Sequence, residues 1–399
     1  MENISELLYR YNPWWEMDFE LQGIYERNII DPILDKFDSK DIVILTGLRR
    51  VGKTTVFKLL IKKLLKDKGI NKNKIFYISL DDYLLSKKSI IEIIDEYRRL
   101  HKISFTEKIF IFLDEITYKK DYEIQLKNLY DSGIGKIFAS SSSASVLRSG
   151  KTYLTGRYSL IELLPLDFTE YLSFKNIKIP KSDSSLIAEY FEDYMKTGGI
   201  PEYVLNEDIE YLKELVDDII NKDIAVYYNV KNISVLKDLF LLLMERAGKQ
   251  ASLNKISKIL GITPDSVRRY FDMFYQSYLI YSVTRCGKKN EKILSPKKVY
   301  AADLGIKNLF TGFRDIGSIF ENYVYMKIKH FTPCYIYKEG FEIDFLTSDH
   351  TLIEVKYNSK MDGKQKKIFK SIECKKKIEI KNVYDLNNYL RSIENRFSH

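Results

Sequence analysis

The chain has 399 residues, 45% of them hydrophobic and 30% charged, with no long stretch dominated by Pro, Gly, Ser or Gln. That excludes disordered, collagen-like and mucin-like chains and predicts two or three globular domains. Lys and Arg number 64 against 55 Asp and Glu, a net charge of +9 that favours an anionic partner such as nucleic acid.

From Asp41 to Leu164, apolar runs rich in β-formers alternate with helical patterns: Ile42-Val-Ile-Leu45, Ile75 to Leu80, Ile109-Phe-Ile-Phe-Leu113, Ile137-Phe-Ala139 and Tyr158 to Leu164. Continuous rather than alternating hydrophobicity predicts a mainly parallel sheet buried on both faces. The first run leads into Gly47-Leu-Arg-Arg-Val-Gly52-Lys53-Thr54, and the helical pattern Thr55 to Lys66 follows. This is the P-loop spacing, in which a tight glycine turn aims backbone N–H groups at phosphates and the helix start adds positive potential. Gly47, Arg50, Val51, Gly52, Lys53, Thr54 and Thr55 are the candidate nucleotide-binding residues. Lys53 would reach the β- and γ-phosphates, and the Thr54 hydroxyl would ligate Mg²⁺.

Leu113-Asp114-Glu115 ends the third apolar run as a Walker B motif. Asp114 would hold Mg²⁺ and Glu115 would polarise the attacking water, a division of labour that points to ATP hydrolysis. The run at Ile137 leads into Ser140-Ser-Ser-Ser143, from which one serine, here taken as Ser141, would contact the γ-phosphate or lytic water. Arg148 and Arg157 follow. Arg157 is the favoured arginine finger for a neighbouring subunit, which makes a homo-oligomer the expected assembly.

Residues 166–247 read as amphipathic helices, among them Leu186 to Lys196 and Ile209 to Val226, and form a lid or connector. Between Ser252 and Arg285 come a helix, a turn at Gly261, a second helix opened by Thr263-Pro264, the strand Tyr278 to Thr284 and the basic turn Cys286-Gly-Lys-Lys-Asn290. Helix, turn, helix and wing is the order of a winged helix. Arg268 and Arg269 would enter a DNA groove, and Lys288 and Lys289 would meet phosphates, although such modules also serve protein contacts alone. Cys286, Cys334 and Cys374, odd in number and widely spaced, argue against a disulfide framework or CxxC metal site and for a reducing, cytoplasmic compartment. No apolar run approaches the roughly 18 residues of a membrane span, and the first twelve residues lack a signal-like core.

Phe341-Glu-Ile-Asp-Phe-Leu346 and Leu352-Ile-Glu-Val-Lys356 predict two strands joined by a turn. Alternation puts Glu342 with Asp344 on one face, and Glu354 with Lys356 on one face. If the strands pair, Asp344 and Glu354 would bind Mg²⁺ and Lys356 would orient the water for phosphodiester cleavage, with Glu321 as a third acid. An ordinary hairpin with a solvated charged face has the same spacing. The lysine-rich stretch from Lys360 to Lys377 reads equally as a DNA-backbone surface or a solvated helix.

Taken together, these motifs resemble archaeal and bacterial AAA+ ATPases in which a P-loop domain and a winged helix precede a restriction-endonuclease-like domain. Asn12-Pro-Trp-Trp-Glu16, Leu154-Thr-Gly-Arg157, Leu164 to Tyr171, Gly198-Gly-Ile-Pro-Glu202 and Glu321-Asn322 also carry the resemblance. It implies that Asp344, Glu354 and Lys356 take the places of the PD-(D/E)xK signature, Ile343 replacing its proline and Glu321 standing as the upstream acid. The implied architecture is α/β: a P-loop NTPase parallel-sheet domain (1–165), a helical lid (166–247), a winged helix (248–296) and a restriction-endonuclease-like α/β domain (297–399). The implied function is an Mg²⁺-dependent ATPase that binds and remodels or processes DNA, with a metal-dependent nuclease in its last domain. The alternative is a nucleotide-gated oligomerising switch for signalling or defence whose last domain only binds a partner.

Overall fold

A computed structural model describes residues 4–21, 23–143, 153–183 and 185–397; Arg148 lies outside them. The chain divides into two compact units, Met1–Leu164 and Pro165–His399.

In the first unit the five apolar runs form strands β1 (Ile42–Thr46), β2 (Ile75–Ser79), β3 (Ile109–Asp114), β4 (Gly135–Ser141) and β5 (Tyr158–Glu162). All pairings are parallel, in the order β2-β3-β4-β1-β5. Every residue of β1 is buried, as a strand covered by helices on both faces requires. The core is aromatic: Phe112 stacks on Phe138 with ring centroids 4.8 Å apart, and Phe76 on Tyr97 at 4.5 Å. The edge strand β2 is covered by the Asn12-Pro-Trp-Trp segment. Asn12 receives the Tyr77 N–H at 2.7 Å and donates to Tyr77 O at 2.9 Å, as a neighbouring strand would, and both indoles donate to Ile75 O. A polar side chain thus blunts an edge that would otherwise invite pairing with another chain.

The second unit opens with the helix Phe168–Phe174 and goes on to the expected helices, Leu186–Thr197 and Ile209–Asp218, the latter continuing as a π-helical segment Ile219–Val226. A helix (Ile233–Glu245), strand β6 (Lys249–Ala251), helices Leu253–Leu260 and Pro264–Gln276, and strands β7 (Ile280–Val283) and β8 (Lys297–Ala301) follow. The three strands form one antiparallel sheet in the order β6-β8-β7. Thr263 caps its helix by accepting the Ser266 N–H, with Pro264 at the first position, as the sequence indicates. The segment expected as a basic turn bends at residues 286–288 and then enters a short helix, Lys289–Leu294, which takes its last two residues. Its Glu291 accepts the Lys288 N–H at 2.9 Å, which starts a helical turn where a wing tip was expected.

A four-stranded sheet, ordered β12-β11-β10-β9, completes the unit: β9 (Cys334–Lys338), β10 (Phe341–Leu346), β11 (Thr351–Val355) and β12 (Lys376–Ile380). The two candidate strands pair antiparallel, with Phe345 opposite Ile353 and Leu346 opposite Leu352. Cys286 and Cys334 form a disulfide across 48 residues, against the expectation of no disulfide framework and a reducing compartment, while Cys374 is free. Spacing could not reveal this pair, because the tertiary contact makes it: β9 runs beside the segment after β7, with the Cys286 N–H donating to Tyr335 O and the Tyr335 N–H to Thr284 O. Among the described residues, no helix is long and apolar enough to cross a membrane.

Candidate functional site

The P-loop joins β1 to the helix Lys53–Lys66. Three of its residues have positive φ: Gly47 at 140°, Arg50 at 62° and Gly52 at 98°. At Gly47 a Cβ would lie 2.2 Å from Leu163 O, so only glycine lets the loop pass this close to the end of β5. Val51 and Lys53 are buried. The Lys53 ammonium donates to Gly47 O at 3.0 Å and Leu48 O at 3.1 Å, which keeps it folded against the loop. Thr54 and Thr55 open the helix directly after it.

Arg27, which sequence reasoning missed, braces the loop from outside. Its guanidinium is buried and donates to Val51 O and Leu164 O, each at 2.8 Å, tying the loop to the chain beyond β5. A lone arginine before the first strand has no motif to mark it.

Asp114 and Glu115 leave β3 in different directions. Asp114 is buried and accepts from three hydroxyls: Thr54 at 2.6 Å, Tyr77 at 3.0 Å and Ser140. Burial, then the Asp114 charge, pushes the Tyr77 phenol well above its ordinary pKa, so it stays a neutral donor. Glu115 adopts φ 53°, a left-handed conformation sparsely used outside glycine, which turns its carboxylate away from Asp114. Ser142 clamps that carboxylate, its hydroxyl at 2.5 Å and its N–H at 3.3 Å, while the Glu115 N–H donates to Ser140 Oγ. Ser141, the serine singled out in the sequence, instead closes a local turn with Ser143. Tyr77, Ser140 and Ser142 carry the contacts: Tyr77 lies in the middle of β2, and Ser140 and Ser142 lie at and just beyond the carboxyl end of β4, the two strands flanking β3.

Arg157 lies just before β5, beside Ile42 at the opposite end of the sheet from the P-loop. Its Nε meets Asp131 at 3.1 Å. It does not reach the phosphate site of its own chain, and only a neighbouring subunit could use it.

The arrangement fits a nucleoside triphosphate with its metal. Gly47, Arg50 and Gly52 give the loop its positive-φ turns, Thr54 and Asp114 stand together as a hydroxyl and carboxylate pair, and Lys53 lies within the loop. When bound, Mg²⁺ supplies Lewis-acid neutralisation of phosphate charge.

In the second unit, pairing of β10 with β11 brings Asp344, Glu354 and Lys356 together. Val355 N–H donates to Asp344 Oδ2 at 2.9 Å, Asp344 N–H to Glu354 Oε2 at 3.2 Å, and the Lys356 ammonium to Glu354 Oε1 at 2.7 Å. Gln365, on the helix Gly363–Ser371, donates to the same Glu354 oxygen at 2.6 Å. Glu321, on the helix Ile316–Ile328, joins through residues of β8: its Oε1 accepts from Tyr300 and from Lys298, each at 2.7 Å. Lys298 is the member that sequence reasoning missed. Its ammonium also meets Glu342 Oε1 at 2.5 Å and Asp344 Oδ1 at 2.8 Å. Burial opposes its charge, but Asp344 and then Glu321 hold its pKa well above the ordinary lysine value. Glu321 and Glu354 are pushed up to about 8, by burial first and the Asp344 charge second.

Of the candidate DNA contacts, Arg268 pairs loosely with Asp265 at 3.5 Å, and the Arg269 guanidinium lies 5.3 Å from the Tyr270 ring centre. Both border a cleft of about 790 Å³ that Lys231, Tyr228 and Met273 also line. Lys288 and Lys289 are exposed at the start of the short helix.

Residues 39–172 match the family model described as AAA domain, and residues 188–316 match one described as a domain of unknown function. An uncharacterized protein of Methanocaldococcus jannaschii is 29% identical over 366 residues, which cover 86% of this chain and 80% of that protein. An uncharacterized protein of Haemophilus influenzae is 26% identical over 320 residues, covering 76% of this chain and 78% of its own. Among solved structures, AMPPCP-bound DnaA from Aquifex aeolicus aligns over 65% of this chain and 93% of its own at 16% identity, with a TM-score of 0.31. The matched segment, the parallel sheet order and the phosphate-loop geometry agree: residues 39–172 are similar to an AAA domain, on a parallel sheet of the P-loop NTPase type.

Proposed function

We propose that the chain is an Mg²⁺-dependent ATP hydrolase that couples its nucleotide state to DNA. The observation that carries hydrolysis is the pair of carboxylates held apart at the end of β3: Asp114 beside Thr54, Glu115 clamped by Ser142. Lys53 would exchange the carbonyls of Gly47 and Leu48 for the β- and γ-phosphates, and Thr54 and Asp114 would hold the metal. Glu115 would accept a proton from the attacking water, with Ser142 fixing its direction. Arg157 would serve only across a subunit boundary, so hydrolysis should rise with protein concentration in a homo-oligomer.

The DNA component is supported by the net charge of +9, by a capped helix that exposes Arg268 and Arg269 near its start, and by Lys288 and Lys289 beyond β7. The competing reading, a nucleotide-gated switch whose last domain binds a partner without cutting DNA, is favoured by Lys298 standing among the carboxylates.

Phosphate release by the wild type, Lys53→Ala and Arg268→Ala/Arg269→Ala, with and without linear or forked DNA, separates the two. Stimulation by DNA that the arginine double variant loses supports the proposal. Hydrolysis indifferent to every DNA, with assembly that follows ATP, overturns the DNA component and leaves the switch.

A further inference from the structure

The resemblance of the last domain to metal-dependent nucleases calls for a divalent cation between Asp344 and Glu354, with Glu321 as third acid. The residues present do not fit one. Among the described residues, no group of three or more His, Cys, Asp or Glu side chains is arranged to hold a metal ion. The oxygens such an ion needs are already engaged. Asp344 Oδ1 meets Lys298 and Oδ2 the Val355 N–H; Glu354 Oε1 meets Lys356 and Gln365, and Oε2 the Asp344 N–H.

From this we infer that Lys298 is the built-in cation of the carboxylate cluster, occupying the place of a divalent metal and closing the site to metal-dependent cleavage. A lysine ammonium has three N–H donors and no acceptor. Here all three are matched by carboxylate oxygens from three different residues, Glu321, Glu342 and Asp344, at 2.5–2.8 Å. The side chain is 1% exposed, so the three carboxylates stand in for bulk water around it. A magnesium or manganese ion bound through Glu321 Oε1 would compete with the Lys298 ammonium and the Tyr300 hydroxyl for that oxygen, and one bound through Asp344 Oδ1 would compete with the Lys298 ammonium, whose like charge repels it.

The placement follows from strand register rather than from a flexible surface chain. Lys298 lies opposite Gln250 on β6 and Val283 on β7, in the middle strand of its sheet. Lys298 and Tyr300 share one face of β8, and both reach Glu321. The cross-strand partner Gln250 takes the other oxygen of Glu342 at 2.6 Å, so the pair grips that carboxylate from both sides. The acids of the nuclease-like strand therefore serve as the seam that joins β10 to β8, and a metal can enter only if that seam opens.

Manganese(II) binding to the nucleotide-free full chain, counted by electron paramagnetic resonance, tests this. The wild type and Asp344→Asn are expected to bind the same number of ions. Lys298→Met, which keeps the length and loses the charge, is expected to gain one ion per chain, and Lys298→Met/Asp344→Asn to lose it again. A wild-type site that disappears in Asp344→Asn overturns the inference, and so does Mg²⁺-dependent DNA cutting that Asp344→Asn abolishes. A folded Lys298→Met chain with no additional ion overturns it as well. The comparison of wild type with Asp344→Asn stands even if Lys298→Met does not fold, and ATP hydrolysis by the other unit is read separately.

Discussion

The Thr54 hydroxyl donates to Asp114 Oδ2 across 2.6 Å, although β4 lies between β3, which ends in Asp114, and β1, which leads into the helix carrying Thr54. The P-loop helix starts beyond the end of β1, so its first turn leans over β4 to the end of β3, and two motifs 60 residues apart become one donor pair. The position between them is taken by Ser140 at the end of β4, which binds Asp114 through its hydroxyl and receives the Glu115 N–H.

That geometry separates binding from turnover. Glu115→Gln keeps the Thr54–Asp114 pair and the loop but loses the proton acceptor. It should bind nucleotide as the wild type does and hydrolyse it ~100-fold or more slowly. Lys53→Ala should weaken binding itself. Titration with a fluorescent ATP analogue, beside phosphate release, checks both; equal turnover in Glu115→Gln would remove Glu115 from the chemistry.

Arg27 gives a prediction that no motif contains. Its hydrogen bonds to Val51 O, buried, and to Leu164 O, partly buried, are charge-assisted. Arg27→Ala should cost about 2–4 kcal/mol of stability in the first unit and loosen the phosphate loop. Arg27→Lys should recover little, because one ammonium on a flexible stem does not span two carbonyls as a planar fork does. Urea unfolding with and without ATP measures both effects, and a neutral Arg27→Ala would show the brace to be dispensable.

The acids around Lys298 predict a pH dependence. Glu321 and Glu354, with pKa values raised from the ordinary 4.5 to about 8, bind protons more tightly in the folded chain than in the unfolded one. Their stabilising contribution is complete below the unfolded value and is lost as pH rises through about 8. The melting temperature of the second unit should therefore fall as pH rises from about 4.5 to about 8 and level off above, and Glu321→Gln/Glu354→Gln should flatten that fall. Calorimetry across about pH 6 to 9 checks the slope; an unchanged slope in the double variant would place the titration elsewhere.

Reduction of the Cys286–Cys334 bond should destabilise the second unit by about 2–4 kcal/mol, since it frees a loop of 48 residues in sequence separation. Cys286→Ser/Cys334→Ser should match the reduced wild type. Denaturant midpoints with and without reductant measure it, and identical midpoints in the wild type would show that the bond adds nothing.

Much of the first unit was legible in the chain because its signals are local. A continuous apolar strand, a glycine-bounded loop and a lysine at a helix start are adjacent in sequence, and the chemistry needs them adjacent. The Asp344, Glu354 and Lys356 group was legible for a related reason: a four-residue turn, 347–350, joins β10 to β11, and alternation assigns the faces. The contacts that alternation could not supply come from other elements: Arg27 from ahead of the sheet, Ser142 from a strand end, Gln365 from a helix, Cys334 from the neighbour of Cys286.

Lys298 marks the boundary between the two kinds of information. In sequence it is one lysine among many basic residues at the start of an apolar strand, indistinguishable from Lys297 beside it. The β6-β8-β7 register turns Lys298 toward Glu321, Glu342 and Asp344. Sequence alone could identify nucleotide chemistry and acids spaced for metal, because both depend on neighbours along the chain. Which cation those acids hold was decided by the tertiary structure, because charges separated by up to 46 residues attract strongly only when packing buries them side by side.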